Sequence, residues 1–372
     1  MEKKGNNKNT ILFAIILILI FGLIGYDVYL NYNKKIIQTT NITKTEKEVT
    51  VTDKGIAEAV DKLYNATVIV EIVERSQTVG WGSGFVYKVD GDVAYVITNY
   101  HVTDGYDKAT IEFTSGAQVE GTVIGGDEYT DVSVVKISSE KVIETAKIGQ
   151  SSSTQLGDTV FAIGTPVSMN FKFTVTRGIM SGKDRLMSMS SKNSSTSIYN
   201  RQGSSESWYI NLLQIDASIN SGNSGGPLAN SNGEVIGITN SKLSSSSIEN
   251  IGFAIPIEDV LNIADQVIEK GKVERPFLGT SLANVEAAIY QGIIPEDTTV
   301  EGTVVAEVAE GSAFDKAKIK KGDIITKFGD YDIKDYQYLK YYLYRYNVGD
   351  EVTVTYIRDG KEKTTTMTLK ES

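Results

Sequence analysis

Between Thr67 and Ile257 the chain is a succession of short runs rich in Val, Ile, Phe, Tyr and Thr. Gly, Asp, Asn or Ser punctuates them. Runs over 67–73, 83–89, 94–98, 110–113, 131–137, 159–163, 171–179, 211–215, 234–239 and 252–257 read as β-strands. No long helical period separates them, which argues for an all-β sandwich or barrel. Its length suits two small barrels. A short amphipathic helix over 55–65 precedes the strands, with Ile56, Val60 and Leu63 on one face. A second helix over 257–270 follows them. Its stripe is Val260, Ile263, Ala264, Val267 and Ile268, Glu258 and Asp259 suit its first turn, and Gly271 ends it.

Arg275-Pro276 then opens another unit, over 275–372. Strand runs at 302–308 and 351–357 flank a tyrosine-rich helix near 335–346, which reads as a small α+β domain. Residues 185–207 interrupt the strands. They are dense in Ser, carry Met187 and Met189, and read as a long surface loop.

The amino terminus is of another kind. Residues 11–25 are unbroken apolar sequence, and Val28, Tyr29 and Leu30 extend the span to about 20 residues, roughly one bilayer core. Lys3, Lys4 and Lys8 precede it, so residues 1–10 are expected in the cytoplasm and everything after the span outside it. No Ala occurs from Ile15 to Ile56, which argues for an uncleaved anchor over 11–30 rather than a removed signal peptide. Residues 31–54 are polar and lack apolar period, as a tether would.

What is missing narrows the chemistry. The chain has no Cys, which removes disulfides, thiol nucleophiles and lipid attachment through Cys. His101 is its single His, so a transition-metal centre has only carboxylates to draw on, and no metal or cofactor is expected. The net charge is −10 with no basic stripe, which argues against nucleic acid as a partner.

Gly222-Asn223-Ser224-Gly225-Gly226-Pro227 is either a plain Gly-Ser turn or a nucleophile seat. Glycines there let the backbone turn tightly and aim amide N–H groups at one point. In α/β-hydrolases the His follows such a Ser. Here the lone His precedes it, so that order is excluded. A base before the nucleophile with an Asp between is the chymotrypsin order. His101 ends the run 96–102. Asp131 opens an apolar strand run and needs a partner if buried. Asp104, Asp107 and Asp127 compete for the same role but sit in turn-like stretches read as exposed.

Together, Thr98-Asn99-Tyr100-His101-Val102, the Asp131 run, residues 216–228 and Ile251-Gly252-Phe253-Ala254-Ile255-Pro256-Ile257 resemble the HtrA/Deg serine proteases. The resemblance covers about residues 56–369. It implies a mainly β fold: a chymotrypsin-like double β-barrel protease domain over 55–272, then a single α+β PDZ domain over 275–372, behind an N-terminal transmembrane helix. It implies His101, Asp131 and Ser224 as catalytic triad and Gly222, Asn223 and Ser224 around the oxyanion hole. Ile219, Ile238, Thr239 and Asn240 fall at the wall of the pocket for the residue before the cut. Phe277, Leu278, Gly279 and Thr280 fall where the family has its carboxylate-binding loop, which takes peptide C-termini. Tyr100, Ser221 and Thr165 depart from the family's usual Asn, Pro and Asn, and none removes a catalytic group. Residues 185–207 lie where the family has a regulatory sensor loop. The implied partners are unfolded proteins or C-terminal peptide segments, the implied assembly a homotrimer, and the implied place the outer face of a bacterial cell membrane, reached by a single pass. The implied activity is an endopeptidase of quality control or of signalling. A weakly catalytic peptide-binding stress sensor or chaperone is the alternative.

Overall fold

The computed structural model describes residues 53–190, 207–243 and 250–371. The apolar span 11–30 lies outside them. Among the described residues no helix is long and apolar enough to cross a membrane. Helix α1 (Asp53–Tyr64) begins inside the stretch assigned to the tether. It buries Ile56 and Leu63 of the face its period marks, with Ala59 beside them, while Val60 is only partly buried against the same core.

Six strands close the first barrel: β1 (Thr67–Glu74), β2 (Gln77–Asp90), β3 (Val93–Thr98), β4 (Lys108–Phe113), β5 (Gln118–Asp127) and β6 (Val132–Ser138). Their order around it is β1-β2-β3-β6-β5-β4. The short helix α2 (Tyr100–Thr103) leaves the end of β3. A second barrel runs β10-β11-β12-β9-β8-β7, from β7 (Thr159–Gly164), β8 (Thr174–Ser190), β9 (Ser207–Ile215), β10 (Pro227–Asn230), β11 (Val235–Thr239) and β12 (Gly252–Pro256). Closure removes the exposed edges that invite aggregation.

The strands bury both faces. In β1, Val68, Val70 and Ile72 fill the barrel interior. Ile69, between them, joins Phe85, Ile97 and Val134 in a seam shared with Phe161, Ile163 and Ile238 of the second barrel. That is why these runs read as continuous apolar stretches rather than alternation. Helix α3 (Ile257–Lys270) adds Val260, Ile263 and Val267 to the seam. It ends at left-handed Gly271, whose N–H reaches Val267 O at 2.9 Å.

The serine-rich segment is shorter than its composition suggests. Residues 185–190 continue β8 and pair with β9, Arg185 with Leu212, Met187 with Ile210 and Met189 with Trp208. Met187 and Met189 pack against the seam, a period of two that the intervening serines obscure. Residues 191–206 lie outside the described part.

The second domain is a sheet ordered β14 (Thr280–Asn284), β15 (Thr303–Val308), β16 (Ile324–Phe328), β18 (Glu351–Arg358), β19 (Lys361–Thr368). Strand β17 (Tyr331–Asp332) hangs on β16, and β13 (Pro276–Phe277) pairs with β20 (Lys370–Glu371). Helices α4 (Val285–Tyr290), α5 (Ala313–Lys316) and α6 (Tyr336–Leu343) complete it. Leu278, Val305, Phe314, Phe328, Leu339 and Val354 share its core. Strand β14 is a sheet edge.

Ionic and aromatic contacts join this domain to the barrels. Asp259 on α3 accepts from Arg345 Nε at 2.9 Å and from Tyr341 Oη at 2.7 Å. Burial pulls the Asp259 carboxyl upward against these partners, while Arg345, although largely buried, is held protonated by the carboxylate. Tyr209 meets Tyr336 edge-on, their hydroxyls 3.1 Å apart. The Arg275 guanidinium lies 4.5 Å from the ring of Tyr129 and 5.0 Å from that of Tyr344.

Candidate active site

Asp131 sits immediately before β6 in the left-handed region, φ 56°. Its carbonyl accepts from Tyr100 N at 3.1 Å and from Asn99 Nδ2 at 2.7 Å, which ties it to the start of α2. Its carboxylate is buried, 7% exposed, and takes three donors. His101 N reaches Oδ1 at 2.9 Å, His101 Nδ1 reaches Oδ2 at 2.7 Å, and Asn240 Nδ2 reaches Oδ2 at 2.6 Å. A buried carboxylate needs this compensation. The bond at Nδ1 puts the imidazole proton there and leaves Nε2 as the acceptor.

Ser224 lies in a turn pinned from several sides. Ser83 N donates to Ser224 O at 2.8 Å, and Ser83 Oγ donates to Gly222 O at 2.7 Å. The same hydroxyl accepts from Thr165 N at 3.1 Å. Thr239 Oγ1 donates to Asn223 O at 2.6 Å, and Gly225 N to Thr239 O at 2.9 Å. Glycine is required at two points. Gly222 has φ 95° and Gly225 has φ 84°. A Cβ would strike the Thr165 carbonyl oxygen at the first and the Ser83 carbonyl oxygen at the second. Asn223 N is spent on Asn220 O at 3.0 Å. The amides of Gly222 and Ser224 find no acceptor among the described residues, so two donors remain for an incoming oxygen.

The Ser224 hydroxyl is tied to the rest through one peptide unit. Its Oγ lies 2.6 Å from Ser241 Oγ and accepts from Ser241 N at 3.1 Å. Ser241 follows Asn240, whose amide holds Asp131. Among the described residues, Ser224 Oγ makes its hydrogen bonds to Ser241 and none to His101.

Ile238 is fully buried in the seam between barrels, and Ile219 is 8% exposed in the core of the second barrel. Thr239 serves the Ser224 turn and Asn240 serves Asp131. Asp104 and Asp107 are exposed. Asp127 is not: it is 5% exposed, bonded to Thr130 N at 2.8 Å and to Arg275 Nη2 at 2.6 Å. The exposed reading fails because the cation that offsets its burial arrives from far along the chain. In the second domain Phe277 is exposed in β13 and Leu278 is buried. Gly279 has φ 70°, and Thr280 opens edge strand β14. The amides of Leu278 and Gly279 donate to no backbone acceptor among the described residues. Sequence reasoning missed Ser83 and Ser241. Neither carries a local signal, since each acts across a large separation.

Two six-stranded barrels with a serine turn at their seam, followed by a small sheet-and-helix domain, define a trypsin-like peptidase joined to a PDZ domain. Comparison with known families agrees: the trypsin-like peptidase domain matches residues 82–238 and the PDZ domain residues 276–369. The serine protease Do-like HtrA of Lactococcus lactis subsp. lactis (strain IL1403) is 40% identical over 300 residues, 78% of this chain and 71% of the relative. The serine protease Do-like HtrB of Bacillus subtilis (strain 168) is 38% identical over 336 residues, 85% of this chain and 70% of the relative. Among solved structures, the HtrA-type protease AlgW with tripeptide superimposes with TM-score 0.63 at 26% identity, over 85% of this chain and 97% of that one. The serine endoprotease from Yersinia pestis gives 0.59 at 28% identity, over 85% and 98%. The chain belongs to the HtrA family of serine proteases, with one PDZ domain.

Proposed function

We propose that the protein is a membrane-anchored endopeptidase in which His101, Asp131 and Ser224 act as the triad. The observation that carries this is the Asp131 carboxylate. It is buried, it holds His101 Nδ1 at 2.7 Å, and through Asn240 it is one peptide unit from the partner of the Ser224 hydroxyl. Ser224 Oγ attacks the substrate carbonyl while His101 Nε2 takes the hydroxyl proton. Asp131 fixes the tautomer and stabilises the imidazolium. The amides of Gly222 and Ser224 hold the oxyanion. His101 returns the proton to the leaving amine, and water then repeats the sequence on the acyl-enzyme.

The PDZ domain, residues 275–372, takes the C-terminal or extended segment of a protein substrate. Edge strand β14 offers a strand to pair with, and the free amides of Leu278 and Gly279 offer donors for a terminal carboxylate. A structural neighbour, AlgW, carries a tripeptide. The apolar span 11–30 anchors the protein by a single pass, with residues 55–272 and the PDZ domain outside a bacterial cell membrane, where they cleave misfolded or signalling exported proteins as a homotrimer. The cleavage of casein by the fragment from Lys54 onward tests this. We expect cleavage to vanish in Ser224→Ala with the fold intact. Cleavage that survives in that variant would remove Ser224 as nucleophile.

A further inference from the structure

We infer that Ser241 is a positioning residue that keeps Ser224 in a resting arrangement, so that activation includes release of the Ser224–Ser241 pair. The inference rests on Ser224 being the nucleophile and adds a restraint that the triad itself does not require.

Serine attack needs two things from one hydroxyl: a proton that leaves toward His101 Nε2, and a lone pair free to meet the carbonyl carbon. The contacts of Ser224 Oγ withhold one or the other. Its oxygen lies 2.6 Å from Ser241 Oγ, and Ser241 N donates to it at 3.1 Å. If Ser224 is the donor of the short bond, its single proton points to Ser241 and cannot also point to His101. If Ser241 is the donor, Ser224 Oγ accepts from both the hydroxyl and the amide of Ser241, and both its lone pairs are engaged. Either proton placement leaves the nucleophile quenched. Among the described residues no competing bond to His101 is present.

Ser241 is held firmly enough to act this way. Asn240 N donates to Phe253 O of β12 at 3.0 Å. Asn240 Oδ1 accepts from Lys242 N at 3.1 Å, which starts the single helical turn Ser241–Leu243, and Leu243 is buried. Asn240 Nδ2 meanwhile grips Asp131 at 2.6 Å. One short segment therefore orients the base through Asp131 and restrains the nucleophile through Ser241. A small movement of the Ser241 side chain removes the shorter of the two bonds to Ser224 Oγ, leaving the one from Ser241 N, without disturbing the bonds between His101 and Asp131.

The test is the rate of labelling by a fluorophosphonate, resolved into a maximal rate and a probe dissociation constant. In that reaction Ser224 Oγ bonds to phosphorus, fluoride leaves, and the serine proton passes to His101. Ser241→Ala removes one of two hydrogen bonds to Ser224. We expect its maximal labelling rate to rise about three- to tenfold, the scale of one hydroxyl bond, with the probe constant and melting temperature unchanged. Ser241→Thr keeps the hydroxyl and should label as wild type does. Ser241→Val, the shape of Thr without its hydroxyl, should label like Ser241→Ala, and it stands in if the alanine variant does not fold. Equal or slower labelling in Ser241→Ala, or acceleration in Ser241→Thr to match it, overturns the inference while leaving the triad in place. A wild-type enzyme that is never labelled at Ser224 removes the nucleophile assignment, and this inference with it.

Discussion

Asn240 is where the placement of one side chain translates most directly into a rate. Its Nδ2 donates to Asp131 Oδ2 at 2.6 Å, beside the bond from His101 Nδ1 at 2.7 Å to the same oxygen. Both residues are buried, with Asn240 at 0% exposure, so solvent cannot replace the amide without rearrangement. In Asn240→Ala the carboxylate keeps both bonds to His101 and loses one donor. A hydrogen bond to a charged group contributes about 1.5–3 kcal/mol. The donor also fixes the carboxylate plane that aims the imidazole, so we assign most of that energy to the transition state. At about 1.4 kcal/mol per tenfold, kcat should fall roughly ten- to a hundredfold. KM should stay within about twofold, the outcome for an interaction that matters chiefly in the transition state. Asn240→Asp should fall further, because it sets a second carboxylate against Asp131 where the amide donated. The assay is steady-state cleavage of a fluorogenic peptide, with thermal melting alongside to confirm folding. A folded Asn240→Ala enzyme that retains kcat within twofold would refute the role given to this amide.

Further outcomes concern the turn, the first barrel and the domain junction. Gly222→Ala should cost about a hundred- to a thousandfold in kcat, because its Cβ collides with the Thr165 carbonyl and displaces one of the two free amides; activity near wild type would show that this amide is not used. Glu71 is pushed up by burial and by the adjoining Glu112 carboxyl, while Lys172 reaches Glu112 at 2.6 Å. The folded chain thus holds the Glu71 proton more tightly than the unfolded chain, whose value is near 4.5. The associated stability is complete below that pH and is lost as pH rises through the higher folded value. Glu71→Gln should therefore melt above wild type at pH 8, with the gap closing toward pH 4; a gap that widens toward acid would reverse the assignment. Arg345→Met strips Asp259 of its cation, which should cost about 3–5 kcal/mol of stability at neutral pH. The loss should shrink as pH falls from neutral, because a buried carboxyl pulled upward takes a proton sooner than an ordinary one; denaturant melts across the acidic range decide this.

Most of the barrel strands and α3 were legible because their signals are local. A short β-branched run such as Thr67-Val68-Ile69-Val70 reads as a strand with both faces buried, and all four residues are buried. Glu258, Asp259 and Gly271 mark both ends of one helix. Strand β5 was not read: Gly121, Gly125 and Gly126 break its pattern, and its register shifts between Val123 and Gly125. Strand β10 has four residues and opens on Pro227. Around the site, chain order and the scarcity of histidine pointed to His101, and the resemblance of the flanking blocks pointed to Asp131. The work of Asn240 did not, since nothing local to residue 240 announces a partner at residue 131. Asp127 looked exposed for the same reason, its Arg275 lying across a domain boundary. Contacts between distant segments are what the fold creates, and they lie beyond the reach of period and composition.

The proposed mechanism requires His101, Asp131 and Ser224 to work as one unit. Peptide cleavage by His101→Ala, Ser224→Ala and the double variant tests it most directly. Residues that share one proton path should not contribute additively, so each single variant should be about as inactive as the double. The expected result is three indistinguishable residual rates, each roughly a millionfold below wild type. Losses that add on a logarithmic scale, or a His101→Ala enzyme that still cleaves at a tenth of the wild-type rate, would contradict it.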